Sequence, residues 1–125
     1  MNESTNAVKW FEIPAADIVR ARRFYEAVFA IEMQPTPVAN MFTFPQKPGG
    51  DICGGAIMQH EMYVPSENGV TIYLNADPDM QAIVDRIEPA GGKIVIPMTR
   101  ISPEIGFMCF FKDTEGNRLA LMSQG

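Results

Sequence analysis

Val8-Lys9-Trp10-Phe11-Glu12-Ile13-Pro14-Ala15-Ala16-Asp17-Ile18-Val19-Arg20-Ala21-Arg22-Arg23-Phe24-Tyr25-Glu26-Ala27-Val28-Phe29 changes its period halfway along. Residues 8–13 are rich in aromatic and β-branched side chains and read as a strand, which Pro14 stops. Asp17 has the short acceptor side chain that caps a helix. From Ile18 onward Ala21, Phe24, Tyr25 and Val28 recur at helical spacing, so the chain is expected to be helical over 18–29 with one apolar stripe. Arg20, Arg22 and Arg23 then fall on or beside the wet face.

Working outward, residues 38–44 and 52–58 have strand-like composition around a Pro45-Gln46-Lys47-Pro48-Gly49-Gly50 turn, which predicts a hairpin. Residues 60–69, punctuated by Pro65, Ser66, Asn68 and Gly69, read as a connecting loop. Beyond it the same order returns: a strand at 70–76, a capping Asp77, a helix over about 79–89 and Gly91-Gly92 as its stop. Asp17 and Asp77 are taken as equivalent caps. Seven residues on stand Phe24 and Val84, ten on Ala27 and Ile87, which predicts that the two buried helix faces begin in phase. Strands at 93–98, 107–112 and 118–122 complete the second unit, the last two joined by the Lys112-Asp113-Thr114-Glu115-Gly116-Asn117 turn. The expected fold is α+β, a single domain over 1–125. It holds two βαβββ modules, 7–60 and 69–124, whose curved mixed sheets carry their helices outside and leave a central cavity.

Composition removes several functions. The chain has 125 residues, 10 basic against 15 acidic, and its tightest basic group is the three arginines of the first helix, which leaves no phosphate-binding surface, so no nucleic acid is expected as a partner. No apolar run is long enough to cross a bilayer, and the polar start Met1-Asn2-Glu3-Ser4-Thr5-Asn6 lacks the layout of a signal peptide. No membrane partner is expected, and the cytoplasm is the expected location. Cys53 and Cys109 lie in apolar strand-like stretches and are expected as free buried thiols. A single histidine, His60, excludes any metal centre needing two or three histidines from one chain.

The fragments Phe11-Glu12-Ile13-Pro14 with Asp17, Arg20-Ala21, Phe24-Tyr25 and Val28-Phe29, then 70–77, Ala90-Gly91-Gly92-Lys93 and Asp113-Thr114-Glu115-Gly116-Asn117, resemble in order and spacing the vicinal oxygen chelate superfamily. That superfamily includes glyoxalase I, bleomycin-resistance proteins and extradiol dioxygenases. The resemblance covers nearly the whole chain. It implies a homodimer, and it implies metal ligands on the first and last strands of each half. Those positions fall here on Trp10, on the Gly54-Gly55-Ala56-Ile57-Met58 stretch, near Thr71 and on Ala120. None supplies an imidazole or a carboxylate, so no metal and no cofactor is expected, and glyoxalase I chemistry by the family mechanism is not expected either.

Strand alternation puts Glu12 on the same face as Trp10, toward the cavity, if Phe11 and Ile13 pack under the helix. Glu12 is the candidate catalytic group, a general base or the partner of a cationic ligand; its plainer reading is a hydrogen-bonded carboxylate near a strand end. Trp10 either fills core space or stacks on a flat ligand. Thr71, Tyr73 and Asn75 share a face, as do Met108 with Phe110, and Arg118 with Ala120 and Met122. Trp10, Thr71, Tyr73, Asn75, Met108, Phe110 and Ala120 form the candidate ligand-binding set, suited to a planar or apolar molecule held by a few hydrogen bonds. His60 reads as a surface residue with a secondary claim on ligand binding or proton transfer. No nucleophile elbow and no phosphate loop occurs. The preferred reading is a metal-free glyoxalase/bleomycin-resistance-like protein that binds a small apolar or aromatic molecule. The alternatives are a lyase or isomerase of that family using Glu12 or an unrecognised metal site, and a regulatory protein using the fold as scaffold.

Overall fold

The computed structural model describes residues 1–49 and 51–125. Gly50, the last residue of the expected 45–50 turn, lies outside them. The first half folds as β1 (Trp10–Pro14), α1 (Ile18–Phe29), β2 (Gln34–Pro35), β3 (Met41–Thr43) and β4 (Gly54–Met58). The second folds as β5 (Tyr73–Asn75), α2 (Met80–Ile87), β6 (Lys93–Ser102), β7 (Gly106–Lys112) and β8 (Arg118–Ser123). Each half makes a four-stranded mixed sheet, in the orders β1-β4-β3-β2 and β5-β8-β7-β6. β1 is parallel to β4 and β5 to β8, a pairing that requires a long crossover, which in each half includes the helix. Pro14 is tolerated within β1 because β1 is an edge strand and ends there.

Asp17 caps α1 as expected: its carboxylate accepts from the backbone N–H groups of Val19 and Arg20, both at 3.1 Å. The stripe Ile18, Ala21, Phe24, Tyr25 and Val28 is buried. Asp77 does not cap α2. The cap is Asp79, which accepts from the N–H of Ala82 at 3.2 Å. Asp77 is followed by a cis peptide to Pro78 and turns its carboxylate to the chain's end, accepting from the Ser123 hydroxyl at 2.9 Å and the Gln124 N–H at 2.8 Å. The two-residue offset resets the helix phase. Counted from the true caps, Ile18, Ala21 and Tyr25 correspond to Met80, Ile83 and Ile87, all buried, whereas Ala27 of the earlier count is exposed.

Residues paired across a ladder share a face. Ile13, Ile57 and Phe42 face the helices, as do Leu74, Leu121 and Cys109. The two halves share this core: the Phe24 ring stacks on Phe111 of β7 at 6.1 Å and meets Tyr25 edge-on at 5.0 Å. Arg86 of α2 donates to the Val28 carbonyl at 2.8 Å, satisfying one of the acceptors left over at the end of α1. Of the first helix's arginines, Arg23 is exposed, Arg20 is ion-paired and Arg22 lies 4.4 Å over the Phe42 ring. Among the described residues no helix is long and apolar enough to cross a membrane.

Candidate functional site

The face of each sheet turned away from the helices carries most of the expected site. In the first sheet Glu12 pairs with Ala56, which pairs with Thr43, and Trp10 stands opposite Gly54. In the second, Tyr73, Ala120, Phe110 and Ile96 form one row across four strands, and Asn75, Met122, Met108 and Thr99 the next. Ala120 is too short to separate its neighbours, so the Tyr73 and Phe110 rings meet edge to face across it at 5.8 Å. Thr71 lies just before β5, and its hydroxyl accepts from Arg118 Nη2 at 2.8 Å. The structure thus brings Tyr73, Ala120 and Phe110 together, with Asn75 and Met108 in the adjoining row. Trp10 and Glu12 sit apart from them on the other sheet.

Two of the clefts among the described residues lie between the halves. The smaller, about 220 Å³, is lined by Glu12 and Pro14 from the first half and by Val70, Ile72 and Arg118 from the second, with Val64, Ser66 and Asn68 of the connecting segment beside them. Glu12 is held on both oxygens: Trp10 Nε1 donates to Oε2 at 3.2 Å and the Tyr63 hydroxyl donates to Oε1. That bond, with burial and the carboxylate charge, raises the Tyr63 pKa above the usual phenol value. Arg118 Nε is buried without an acceptor among the described residues. Tyr63 and Arg118 were not in the expected set. The only sequence signal for Tyr63 was an aromatic inside a loop of turn formers.

The larger cleft, about 600 Å³, is walled by Phe11, Phe29, Phe44, Ile31, Leu74 and Ile83, with Cys53, Gly54, Gly55, Tyr73, Asn75 and Asp77 along it. Here Phe11 is both core and wall. Its ring lies across Gly55, where a Cβ would come within 2.3 Å of the ring, so only glycine fits beneath it. Of the expected residues, Tyr73 and Asn75 line this cleft. Phe11, expected to pack under the helix, also walls this cleft, and Asp77, expected as a cap, lines the cleft instead, because alternation and spacing do not show which side chains border a cleft between the halves.

His60 is exposed at the end of β4, its Nδ1 accepting from the Met62 N–H at 3.1 Å and its ring edge-on to Tyr63. Cys109 is fully buried, and burial pushes its thiol up to about 11, which keeps it protonated and inert. Cys53 is half-buried and free.

A divalent ion does not fit the positions at which the fold family holds one. Trp10, Gly54 to Met58, Thr71 and Ala120 offer an indole N–H, a terminal thioether, one hydroxyl and a methyl, and that hydroxyl already faces a guanidinium, which repels a cation. Among the described residues no three His, Cys, Asp or Glu side chains are grouped to hold an ion.

No protein-family model matches the chain. It is 30% identical over 122 residues to a glyoxylase-like domain-containing protein of Didymella fabae, a match covering 94% of this chain and 93% of that one. Among solved structures it is similar to a glyoxalase/bleomycin resistance protein from Albidiferax ferrireducens T118, with a TM-score of 0.75, 15% identity and coverage of 96% and 100%. It is also similar to an antibiotic binding protein from Streptomyces sp. CB03234, with a TM-score of 0.63, 20% identity and coverage of 99% and 100%. With two βαβββ sheets in the expected order and a relative of this identity along nearly its full length, the chain belongs to the glyoxalase-like proteins of the vicinal oxygen chelate superfamily.

Proposed function

We propose that this chain binds a small apolar or aromatic molecule in the larger cleft between its halves, without a protein-held divalent metal. The observation that carries this is the cleft itself. Its volume of about 600 Å³ lies within the ~300–1,000 Å³ of small-molecule sites, and three phenylalanine rings face a few polar groups across it. The donor-poor positions at the family's metal site support the metal-free part. The Streptomyces neighbour, described as binding an antibiotic, supports sequestration as one use of such a fold. A homodimer is part of the proposal, supported by Val95, Ile96 and Ile101, which leave β6 with exposed apolar side chains.

The test is a fluorescence titration of chelator-treated protein with N-phenyl-1-naphthylamine, a neutral aromatic probe. It is expected to bind at one site per chain, and Ile31→Trp, which fills the cleft from its wall, is expected to weaken it by about tenfold or more. Equal affinity in that variant, or stoichiometric tight binding of added zinc or nickel by the stripped protein, would overturn the proposal. Sedimentation of the same sample reads the assembly, and a monomer at micromolar concentration would remove the dimer.

A further inference from the structure

We infer that the molecule taken by the larger cleft carries a basic amine at one end of its apolar body, and that Asp77 receives that amine. The inference rests on the reading of the cleft given above and adds the class of ligand. Among the described residues that line the cleft, Asp77 is the one side chain with a formal charge at neutral pH; no lysine or arginine shares the wall to neutralise it. Its Oδ1 is fixed by the Ser123 hydroxyl and the Gln124 N–H, while Oδ2 has no hydrogen-bond or ion partner among the described residues. Beside it, the Asn75 side-chain carbonyl is already committed to the Asp77 N–H at 2.9 Å. The cleft therefore has aromatic and aliphatic walls and one anchored carboxylate at its border with the neighbouring cleft lined by Ser123 and Gln124, its second oxygen unpartnered among the described residues. An ammonium group on an apolar body completes that arrangement, a neutral body leaves Oδ2 to water, and a carboxylate is repelled. The chain's net charge of −5 acts in the same direction.

Because Asp77 is exposed, the preference is modest. The experiment compares 1-naphthylmethylamine, 1-naphthalenemethanol and 1-naphthoate, three ligands sharing one ring system, as competitors of N-phenyl-1-naphthylamine at low salt. The amine is expected to bind about threefold to tenfold more tightly than the alcohol, with the acid weakest. In Asp77→Asn, which keeps an oxygen for Ser123 and Gln124, the amine and alcohol are expected to converge. Raising salt to ~0.5 M is expected to narrow the same gap in the unsubstituted chain, a readout independent of whether the variant folds. Equal binding of amine and alcohol at low salt, or a gap that survives both the substitution and the salt, overturns the assignment of the amine while leaving the cleft occupied. Failure of the neutral probe to bind at all overturns the cleft reading instead, and this inference with it.

Discussion

The Asp113-Thr114-Glu115-Gly116-Asn117 turn read as a turn in the sequence, but its side chains fasten the first half to the second. The Asp113 carboxylate accepts from the Tyr25 hydroxyl at 2.7 Å and from Asn117 Nδ2 at 2.9 Å, and Asn117 Nδ2 also reaches the Pro14 carbonyl at 2.7 Å. Glu115 accepts from Arg20 Nε at 2.7 Å and Nη2 at 3.0 Å, and from the Asp17 N–H at 2.7 Å. Burial alone would raise the Glu115 pKa; the bonds from Arg20, Asp17 and Thr114 outweigh it and hold the carboxyl below its usual value. A carboxyl lowered in the folded state contributes stability that is present above its unfolded pKa and is lost as pH falls through the folded one. Asp113 runs the other way. Burial raises it against its hydrogen bonds, so its contribution is greatest below the unfolded pKa and is lost as pH rises through the folded one. Glu115→Gln is expected to cost about 1–3 kcal/mol at neutral pH and to flatten the loss of stability on acidification below about pH 4.5, read by urea unfolding across a pH series. An unchanged acid limb in that variant would contradict the role given to Glu115.

At the level of elements, the sequence was most readable where one physical rule acted alone. α1 was legible from end to end, because an acceptor side chain, an apolar stripe and a clean period coincide between Asp17 and Phe29. α2, expected over about 79–89, spans Met80–Ile87, and its cap lies two residues on from the expected Asp77, because two aspartates flank Pro78 and spacing cannot say which turns toward the helix. Asp79→Ala is therefore expected to destabilise the fold by about 0.5–2 kcal/mol and to lower helix content at residues 80–83, by urea unfolding and amide exchange. The same substitution at Asp77 should leave exchange at those amides unchanged. Strands were legible in position and less so in length: β3 is three residues of an expected seven, whereas β6 runs ten residues, through Ser102, with register shifts along β7. Those limits are set by partner strands, which periodicity does not see. Alternation grouped Tyr73 with Asn75, Phe110 with Met108 and Ala120 with Met122, but neither the register that aligns Tyr73, Ala120 and Phe110 in one row nor the lining of the clefts followed from it, because these depend on how separate strands and the two halves meet.

Across the whole molecule, the segment joining the halves is stitched to both. Tyr63 bonds Glu12 of the first half. Ser66 accepts the Arg118 N–H and donates its own N–H to Asn117 Oδ1, and Glu67 pairs with Lys112, all in the second half. Beneath it the turn at 113–117 and Arg86 already bind α1. Covalent continuity at that point is thus nearly redundant once the molecule has folded. A protease site engineered between Glu67 and Asn68 should, after cutting, yield two peptides that still travel as one species through gel filtration and part only in denaturant. Genes encoding 1–67 and 68–125 separately should then be able to reconstitute the folded protein, which would make this scaffold a natural candidate for a split reporter.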